Sequence, residues 1–221
     1  MVLVSHIYKF IYIKNVKVAS SSVESFFGQF CIDPAKKAEY TFSDGGPLEE
    51  TVYGIIGTYG IIGTQIIPTK QSWNQHMDAT QIKTVIGDEV FQSYFKFCVV
   101  RNPWDLVVSM FHFFRPRVNF KTYCKAYFRK VGESGNLKRT SIDGKQICDF
   151  YIRYECLKED IIRVCEKIGI PPIEYNIDML PNHKSKSRPK GKSYQEYYDD
   201  ESREAIAGAF KNDIEMFGYT F

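Results

Sequence analysis

Lys17-Val18-Ala19-Ser20-Ser21-Ser22 is a short polar turn between a strand pattern and a helix pattern, and it carries residue types that bind phosphate. Small residues allow the backbone to bend closely around a ligand, and the helix that follows offers unpaired N–H groups at the positive end of its dipole. Lys17 adds a mobile positive charge, and the serines add hydroxyl donors. A serine-capped helix beside a solvated lysine is the alternative interpretation.

A second turn, Arg101-Asn102-Pro103-Trp104-Asp105, follows an apolar run and precedes Ser109 by two helical turns. An arginine at the end of a buried strand lies at the carboxyl edge of the sheet, where open α/β folds bind ligands. A guanidinium and a seryl hydroxyl can together hold a phosphate. The alternative is an arginine salt bridge at a helix start. Two such turns at neighbouring strand ends predict a ligand with two separated phosphates.

The elements that must position these turns alternate between strands and helices. Strands are predicted at 7–13, 95–100 and 147–154. Two helices are predicted to begin after a serine N-cap near residue 20 and after Asn102-Pro103. Further helices are predicted at 79–86, at about 157–169, and as one last helix through 206–217. The near-continuous apolar run at 95–100 is typical of a parallel strand covered on both faces. The sequence therefore predicts an α/β three-layer sandwich with a central parallel sheet.

Length and composition favour one soluble, cytoplasmic domain spanning 1–221. The net charge of +3 is too small for a general nucleic-acid binder, and six cysteines without a CxxC pattern indicate reduced thiols. No signal peptide or membrane span is expected. Residues 32–75 form an irregular insertion, a candidate for binding an acceptor. Its GIIGT sequence, repeated at 54–58 and 60–64, indicates a Gly-rich hairpin or buried loop, with a ligand loop as the alternative.

Three segments resemble sulfotransferases that use PAPS, 3′-phosphoadenosine 5′-phosphosulfate. KFIYIKNVKVASSS resembles their 5′-phosphosulfate loop, although Val16 stands where many members have proline. FKFCVVRNPWDLVVS resembles their 3′-phosphate motif, and YYDDESREAIAGAFKNDIEMFGYTF is similar to the C-terminal end of carbohydrate-type and bacterial or viral members. Residues 32–75 and 132–145 have no counterpart, and Gly132 to Gly144 is predicted to be a polar loop. The resemblance implies the P-loop NTPase-like sulfotransferase fold, although the chain has no GxxxxGK[ST] motif and no acidic pair for magnesium.

The resemblance also implies roles for individual residues. Lys17 would contact the 5′-phosphate and the bridging oxygen, Arg101 and Ser109 would bind the 3′-phosphate, and the ring of Tyr154 would lie near the adenine. The basic loop at 183–192 is either a solvated charge run or a cover for the 3′-phosphate. The implied PAPS-binding residues are Lys17, Val18, Ala19, Ser20, Ser21, Ser22, Arg101, Ser109, Tyr154, Arg188, Lys190 and Gly191.

His76 is the predicted general base, since relatives place a catalytic His or Glu between the two phosphate motifs. A polar residue at a helix entry is the alternative, and Glu24 and Asp78 are reserve candidates. An unperturbed histidine titrates near pH ~6.5, so the rate is expected to fall as the pH drops through that region. The other histidines are His6, His112 and His183, and Tyr151, Arg153 and Glu155 are assigned to strand packing and pairing.

The predicted activity is therefore transfer of a sulfuryl group from PAPS to a hydroxyl or amine of a carbohydrate or small metabolite. PAP, adenosine 3′,5′-bisphosphate, is released, and no metal is required. Arg115 and Arg117 either meet an acidic acceptor or merely flank the site. A nucleotide or small-molecule kinase and a catalytically silent nucleotide-binding adaptor are the alternatives.

Overall fold

The computed structural model describes residues 2–42, 48–57, 76–130, 135–181, 188–189 and 191–221. Its strands are β1 (Leu3–Ser5), β2 (Phe10–Ile13), β3 (Glu49–Thr51), β4 (Gly54–Ile56), β5 (Phe95–Val100), β6 (Ser141–Ile142), β7 (Lys145–Gln146) and β8 (Phe150–Arg153). Its helices are α1 (Ser20–Gly28), α2 (Ala79–Ile86), α3 (Asp88–Ser93), α4 (Pro103–Phe114), α5 (Phe120–Lys130), α6 (Gly135–Arg139), α7 (Leu157–Ile168), α8 (Asp200–Ala209) and α9 (Lys211–Phe217).

The central sheet has six strands in the order β3-β4-β1-β2-β5-β8, and it is mixed. Strands β2, β5 and β8 are parallel, whereas β1 runs antiparallel to both β2 and β4, and β3 runs antiparallel to β4. The protein is thus an α/β protein, but the expectation of a wholly parallel sheet is wrong. The predicted strand at 7–13 begins only at Phe10, because a turn ending at Lys9 (φ 51°) reverses the chain after β1.

The parallel half of the sheet carries the core. All four residues of β2 are buried, as are Phe97 to Val100 of β5, so both faces of these strands are covered. The rings of Phe10 and Phe97 lie 5.6 Å apart, and Phe27 of α1 packs 4.8 Å from Phe97. Apolar burial of this kind fixes the strand ends from which the two polar turns emerge.

The helix starts differ in how well local sequence predicts them. For α4 the prediction is confirmed, since Pro103 is its first residue and the Asn102 side chain accepts a hydrogen bond from the Trp104 N–H. For α1 the predicted serine N-cap is wrong, because the capping position is Ala19 and no side chain caps it. The predicted last helix is two helices, α8 and α9, which meet at the buried Phe210.

Two segments expected to be irregular contain regular structure. The first GIIGT copy supplies the buried strand β4, where a Cβ added to Gly54 would lie 2.2 Å from the Val4 carbonyl oxygen. The second copy lies outside the described residues. Within the predicted loop 132–144, residues from Gly135 onward form α6 and the β6–β7 hairpin, and the strand predicted at 147–154 is limited to Phe150–Arg153.

The expected helix α2 is confirmed at Ala79–Ile86, and α7 ends one residue before the predicted boundary. None of the helices in the described ranges is long and apolar enough to cross a membrane. All six cysteines are unpaired thiols, and four of them are buried, namely Cys31, Cys98, Cys124 and Cys165.

Candidate functional site

The turn between β2 and α1 has an unusual backbone. Lys17 (φ 62°) and Ala19 (φ 61°) both adopt the left-handed conformation, which costs a non-glycine residue about 1–2 kcal/mol. The N–H groups of residues 18–21 donate to no atom of the described chain, while the next N–H, of Ser22, donates to the Ala19 carbonyl at 2.9 Å. Successive N–H groups in such a turn form a concave nest for an anion. We call residues 17–21 the 17–21 nest.

Buried side-chain amides hold the approach to this nest in place. Asn15 donates through Nδ2 to the Val99 carbonyl at 2.9 Å, and the Ser20 hydroxyl donates back to the Asn15 carbonyl. Asn136 of α6 accepts from the Val16 N–H at 3.0 Å and donates to the Val16 carbonyl at 3.3 Å. These bonds fix the chain just ahead of the nest and so support its strained backbone.

The contact between Val16 and Asn136 requires a residue other than proline at position 16. The Val16 N–H is a hydrogen-bond donor used by Asn136, and proline has no N–H. Asn136 was not singled out from the sequence, because it lies in a segment without a motif and 120 residues from its partner. No local signal in the sequence points to such a contact.

Glu24, a reserve candidate for the base, is completely buried and pairs with Lys14 at 2.8 Å. The two charged side chains are 0% and 5% exposed, so the pair lies within the protein interior. A buried ion pair contributes mainly by avoiding the cost of an uncompensated charge. The contact gives Glu24 a structural partner that the sequence did not indicate.

Arg101 joins the second turn to the first. Its NH1 donates to the Lys17 carbonyl at 3.0 Å, while Nε and NH2 lie 2.8 and 2.7 Å from Oδ2 of Asp105. The guanidinium also stacks 3.9 Å above the centre of the Tyr154 ring. The helix-start salt bridge that the sequence left open is therefore present, and the same arginine contacts the nest.

Asp105 connects this arginine to the late basic loop. Its second oxygen, Oδ1, accepts from NH1 of Arg188 at 2.6 Å, and NH2 of Arg188 donates to the Lys192 carbonyl at 2.8 Å. Gly191 has a positive φ of 86° in this loop. His183 and Lys190 lie outside the described residues. From the sequence, Asp105 was recognised only as a member of the second turn. Its ion pairs with both Arg101 and Arg188 were not predicted.

Ser109 lies one helical turn beyond Asp105 on the same face of α4, because positions four apart are neighbours on a helix. It is half-buried, and its hydroxyl has no hydrogen-bond partner among the residues whose placement is described. Arg101, Tyr154, Arg188 and Ser109 thus gather around Asp105. We call this group the Asp105 cluster.

The Lys17 side chain extends toward α4. Its Nζ lies 3.9 Å from the centre of the Phe113 ring, a cation–π contact. Lys17 is half-buried, and Phe113 is 48% exposed to solvent. The ammonium group therefore lies near the surface between the nest and the end of α4, where a second molecule can approach it.

His76 is near the same turn. Its Nδ1 lies 3.1 Å from the Lys14 carbonyl oxygen, and since that oxygen only accepts, Nδ1 carries the proton and leaves the Nε2 lone pair available. Burial lowers the pKa of His76 to about 4, partly opposed by this hydrogen bond and reinforced by nearby positive charges, including Lys14 and Arg139. The imidazole is consequently neutral at pH 7.

The remaining candidates have structural partners elsewhere. His6 Nδ1 lies 2.8 Å from the Tyr94 hydroxyl, His112 Nε2 lies 2.9 Å from the Tyr197 hydroxyl, and Asp78 caps α2 in a capping box with Gln81. The strand-end group serves packing and pairing as predicted: Tyr151 donates to Gln146, Arg153 to the Phe217 carbonyl, and Glu155 accepts from the Asn102 N–H.

A separate cavity of about 540 Å³ lies beside the C-terminal half of α1. Lys37 and Glu174 are its charged residues, and they pair with each other at 3.0 Å. Tyr8 also donates to Glu174 at 2.8 Å. These polar groups are bonded to one another, and none of the residues lining the cavity belongs to either of the two turns. The cavity is therefore separate from the site that the turns build.

The fold and the site together define an α/β protein with a mixed six-stranded sheet and two polar turns in contact at the ends of its parallel strands. The chain is 32% identical over 103 residues to an uncharacterized protein of Archaeoglobus fulgidus, covering 84% of that protein and 43% of this chain. It belongs to the same family as that archaeal protein, whose name states no function. No protein-family model and no solved structure matches the chain.

Proposed function

We propose that the protein is a sulfotransferase that uses PAPS as sulfuryl donor and releases PAP. The observation that carries the proposal is the bond from Arg101 NH1 to the Lys17 carbonyl, 3.0 Å long, which brings the two predicted phosphate turns into contact. A nucleotide with phosphates on both sides of one ribose needs two anion sites that are close together and distinct. The 17–21 nest and the Asp105 cluster are such a pair.

The 17–21 nest suits the 5′ side of the donor. Four N–H groups at the start of α1 point to no acceptor in the described part of the chain, and the helix dipole favours a negative group there. The Lys17 ammonium is the cation nearest to the bond that breaks. The Ser21 hydroxyl lies in the first turn of α1 and adds a donor.

The Asp105 cluster suits the 3′-phosphate. A guanidinium has five N–H donors, and Arg101 uses three of them, two on Asp105 and one on Lys17. Two donors therefore have no partner in the described part of the chain, and we assign them to a phosphate oxygen, with Asp105 fixing their direction. Arg188 and the Ser109 hydroxyl add donors from the late loop and from α4.

The proposed reaction asks the chain for a general base on the acceptor side and a positive charge at the leaving oxygen. His76 Nε2 takes the proton of the acceptor hydroxyl while its oxygen forms a bond to sulfur, and the bond from sulfur to the 5′-phosphate oxygen breaks with its electron pair left on PAP. Lys17 stabilises the negative charge that grows on that oxygen. Positioning and charge stabilisation of this kind supply most of the rate in related phosphoryl transfers.

One observation favours a second candidate, a nucleotide-binding protein without turnover. The cations of both sites already have partners within the protein, since Lys17 lies over Phe113 and Arg101 pairs with Asp105. Such contacts also keep a binding site ordered without its ligand. Turnover of PAPS therefore separates the two candidates.

The testing experiment combines calorimetry with PAP, ADP and AMP and a turnover assay with PAPS. PAP is expected to bind far more tightly than AMP, and Arg101→Ala is expected to weaken PAP binding by about 1.5–3 kcal/mol, the scale of a charge-assisted hydrogen bond. Arg163→Ala, which removes an exposed arginine paired with Asp160, is the control. Equal affinities for PAP and AMP would contradict the assignment of the 3′-phosphate site, and loss of activity in EDTA would contradict a metal-independent transfer.

A further inference from the structure

Two of the six cysteines lie against each other beside the parallel half of the central sheet. The thiols of Cys98, in β5, and Cys148, just before β8, form a hydrogen bond with each other. By contrast, the Cys31 thiol donates to a backbone carbonyl, that of Phe27, at 3.6 Å. We call Cys98 and Cys148 the thiol pair.

Hydrogen bonds on both sides of Cys148 hold it in this position. The Asp149 N–H donates to the Lys96 carbonyl at 2.7 Å, and the Lys96 N–H donates to Oδ2 of Asp149 at 2.7 Å. On the other side of Cys148, the Ile147 N–H donates to the Thr140 carbonyl at 3.0 Å. Because both neighbours of Cys148 are anchored, and one of them to β5, the contact between the two thiols follows from the fold.

The two members of the thiol pair differ in their access to solvent. Cys98 is completely buried, whereas Cys148 is half-buried. Burial raises the pKa of Cys98 well above its ordinary value, and the bond with Cys148 and the nearby Asp213 carboxylate add to this rise. Since the thiolate is the form that reacts with oxidants, Cys98 stays an unreactive thiol until a reactive sulfur forms beside it. Cys148 is therefore the member that meets an oxidant first.

We propose that Cys148 is a site of oxidation by hydrogen peroxide, and that Cys98 converts the product into an intramolecular disulfide. The Cys148 thiolate attacks one peroxide oxygen, the O–O bond breaks, and the released hydroxide takes up the thiol proton as water, which leaves a sulfenic acid. The Cys98 sulfur then attacks the Cys148 sulfur, the S–O bond breaks, and the hydroxyl group leaves with the Cys98 proton as water. Two thiols and one molecule of peroxide thus give one disulfide and two molecules of water.

The thiol next to a sulfenic acid decides what becomes of it. A sulfenic acid condenses with a neighbouring thiol to a disulfide, which is reversible, whereas further oxidation to the sulfinic acid is not reversed by thiols. Cys98 already touches Cys148, so the condensation joins two sulfurs that are neighbours in the reduced protein. Exposure alone would instead make Cys156, which is exposed, the reactive cysteine. The contact therefore selects both the site and the product.

The disulfide joins β5 to the entry of β8. These two strands lead to Arg101 and Tyr154, whose guanidinium and ring stack at 3.9 Å. The bond closes a loop of about 50 residues, and a cross-link of this kind stabilises a protein mainly by constraining its unfolded chain. Neither cysteine belongs to the two polar turns, so the inference is independent of the proposed function.

The test treats the folded full chain with hydrogen peroxide, blocks the remaining thiols with N-ethylmaleimide and maps the tryptic peptides by mass spectrometry. Trypsin cuts after lysine and arginine, so Cys98 lies in peptide 97–101 and Cys148 in peptide 146–153, each without another cysteine. We expect the two peptides to be joined, with a mass lower by two hydrogens than their sum, and to separate on reduction with dithiothreitol. The oxidised protein is expected to melt roughly 5 °C or more above the reduced protein.

Three variants assign the roles of the cysteines. Cys148→Ser should form no cross-link at Cys98, and Cys98→Ala should leave Cys148 as a sulfenic acid that dimedone labels. The matched control is Cys156→Ser, which removes the exposed cysteine and should form the cross-link as the wild type does. Should Cys98→Ala fail to fold, the wild-type peptide map and Cys148→Ser decide the outcome, because Cys148 is only half-buried.

Four results would overturn the proposal. They are oxidation of Cys156 while peptides 97–101 and 146–153 stay unlinked, a bond from Cys148 to a cysteine other than Cys98, conversion of Cys148 to the sulfinic acid in the wild-type protein, and a cross-link that forms only after the chain has been unfolded in urea.

Discussion

Arg188 donates through NH1 to Oδ1 of Asp105 at 2.6 Å, and this bond fastens the late basic loop to the first turn of α4. The other oxygen of the same carboxylate holds Arg101. One buried acid thus orients the two arginines that the proposed function assigns to the 3′-phosphate. Asp105 is a positioning residue for that site.

We expect Asp105→Asn to weaken PAP binding about 10-fold, which corresponds to about 1.4 kcal/mol, because both arginines lose their fixed direction. AMP, which has no 3′-phosphate, should bind as it does to the wild-type protein. Calorimetry with both nucleotides checks this. Asp178→Asn, which removes an exposed partner of Lys158, is the control. Equal weakening of PAP and AMP would indicate a general loss of structure instead.

Lys17→Ala should lower kcat by about 10²–10³-fold, the scale of one lost transition-state donor, and weaken PAP binding much less. The reason is that charge on the leaving oxygen grows only as the bond to sulfur breaks. Steady-state kinetics and calorimetry measure the two quantities. Lys9→Ala is a closely matched control, because Lys9 is also a left-handed lysine, at φ 51°, but lies in the β1–β2 turn. A parallel loss of kcat and PAP affinity in Lys17→Ala would argue against a transition-state role.

His76 should give the reaction an acidic limb near pH 4. Burial disfavours the charged imidazolium and lowers its pKa to about 4, so the neutral base is present above that pH and is lost as the pH falls through it. This corrects the value near pH ~6.5 expected for an unperturbed histidine. The pH profile of kcat, in a range where the fold is intact by circular dichroism, measures the limb.

His76→Ala should remove that limb and lower kcat by about 10²-fold or more, with PAP affinity nearly unchanged. His6→Ala is the control, since His6 pairs with the Tyr94 hydroxyl in the β1–β2 turn. Near-normal turnover in His76→Ala would place the base elsewhere. A weakened PAP affinity with normal kcat would place His76 on the donor side.

Glu24→Gln should reduce the free energy of unfolding by about 3–5 kcal/mol, because it removes the carboxylate charge 2.8 Å from the buried Lys14 ammonium. The double variant Lys14→Met with Glu24→Leu should recover most of that loss, since it removes both charges together. Urea denaturation followed by fluorescence measures both. If Glu24→Gln is as stable as the wild type but inactive, Glu24 acts in the chemistry instead.

Val16→Pro, which introduces the residue common in the resembling family, should lower the free energy of unfolding by about 1–3 kcal/mol. Proline removes the N–H that donates to the buried Asn136 side-chain oxygen at 3.0 Å and leaves that oxygen with the longer, 3.5 Å hydrogen bond from Arg139 NH1. Adding Asn136→Ala to Val16→Pro should then have little further effect on stability. Fully additive losses in the double variant would show that the two residues act independently.

Features with a local cause were predicted well from the sequence. The near-continuous apolar run at 95–100, interrupted by Lys96, matches β5, and Asn102-Pro103 starts α4 because an amide cap and a proline act on the first turn itself. Both turns of the candidate site were located in this way.

Features that depend on distant contacts were not predicted. The antiparallel β1 is only three residues long, too short for a pattern, and the reversal at Lys9 uses a left-handed residue other than glycine. Asn136 reaches Val16 across 120 residues, and the low pKa of His76 arises from burial that only the folded chain creates. Pairings of this kind leave no trace in residue spacing.

The hydrogen bond from Arg101 to the Lys17 carbonyl has a thermodynamic consequence for ligands smaller than PAP. Because one side chain belongs to both turns, an anion that settles in either turn changes how well the other is ordered. Linkage requires such an effect to be reciprocal. An anion that orders Arg101 leaves less ordering for a second anion to supply. Inorganic phosphate in one turn should therefore raise the affinity of the other for a monophosphate nucleotide, so that two fragments bind cooperatively where neither binds well alone.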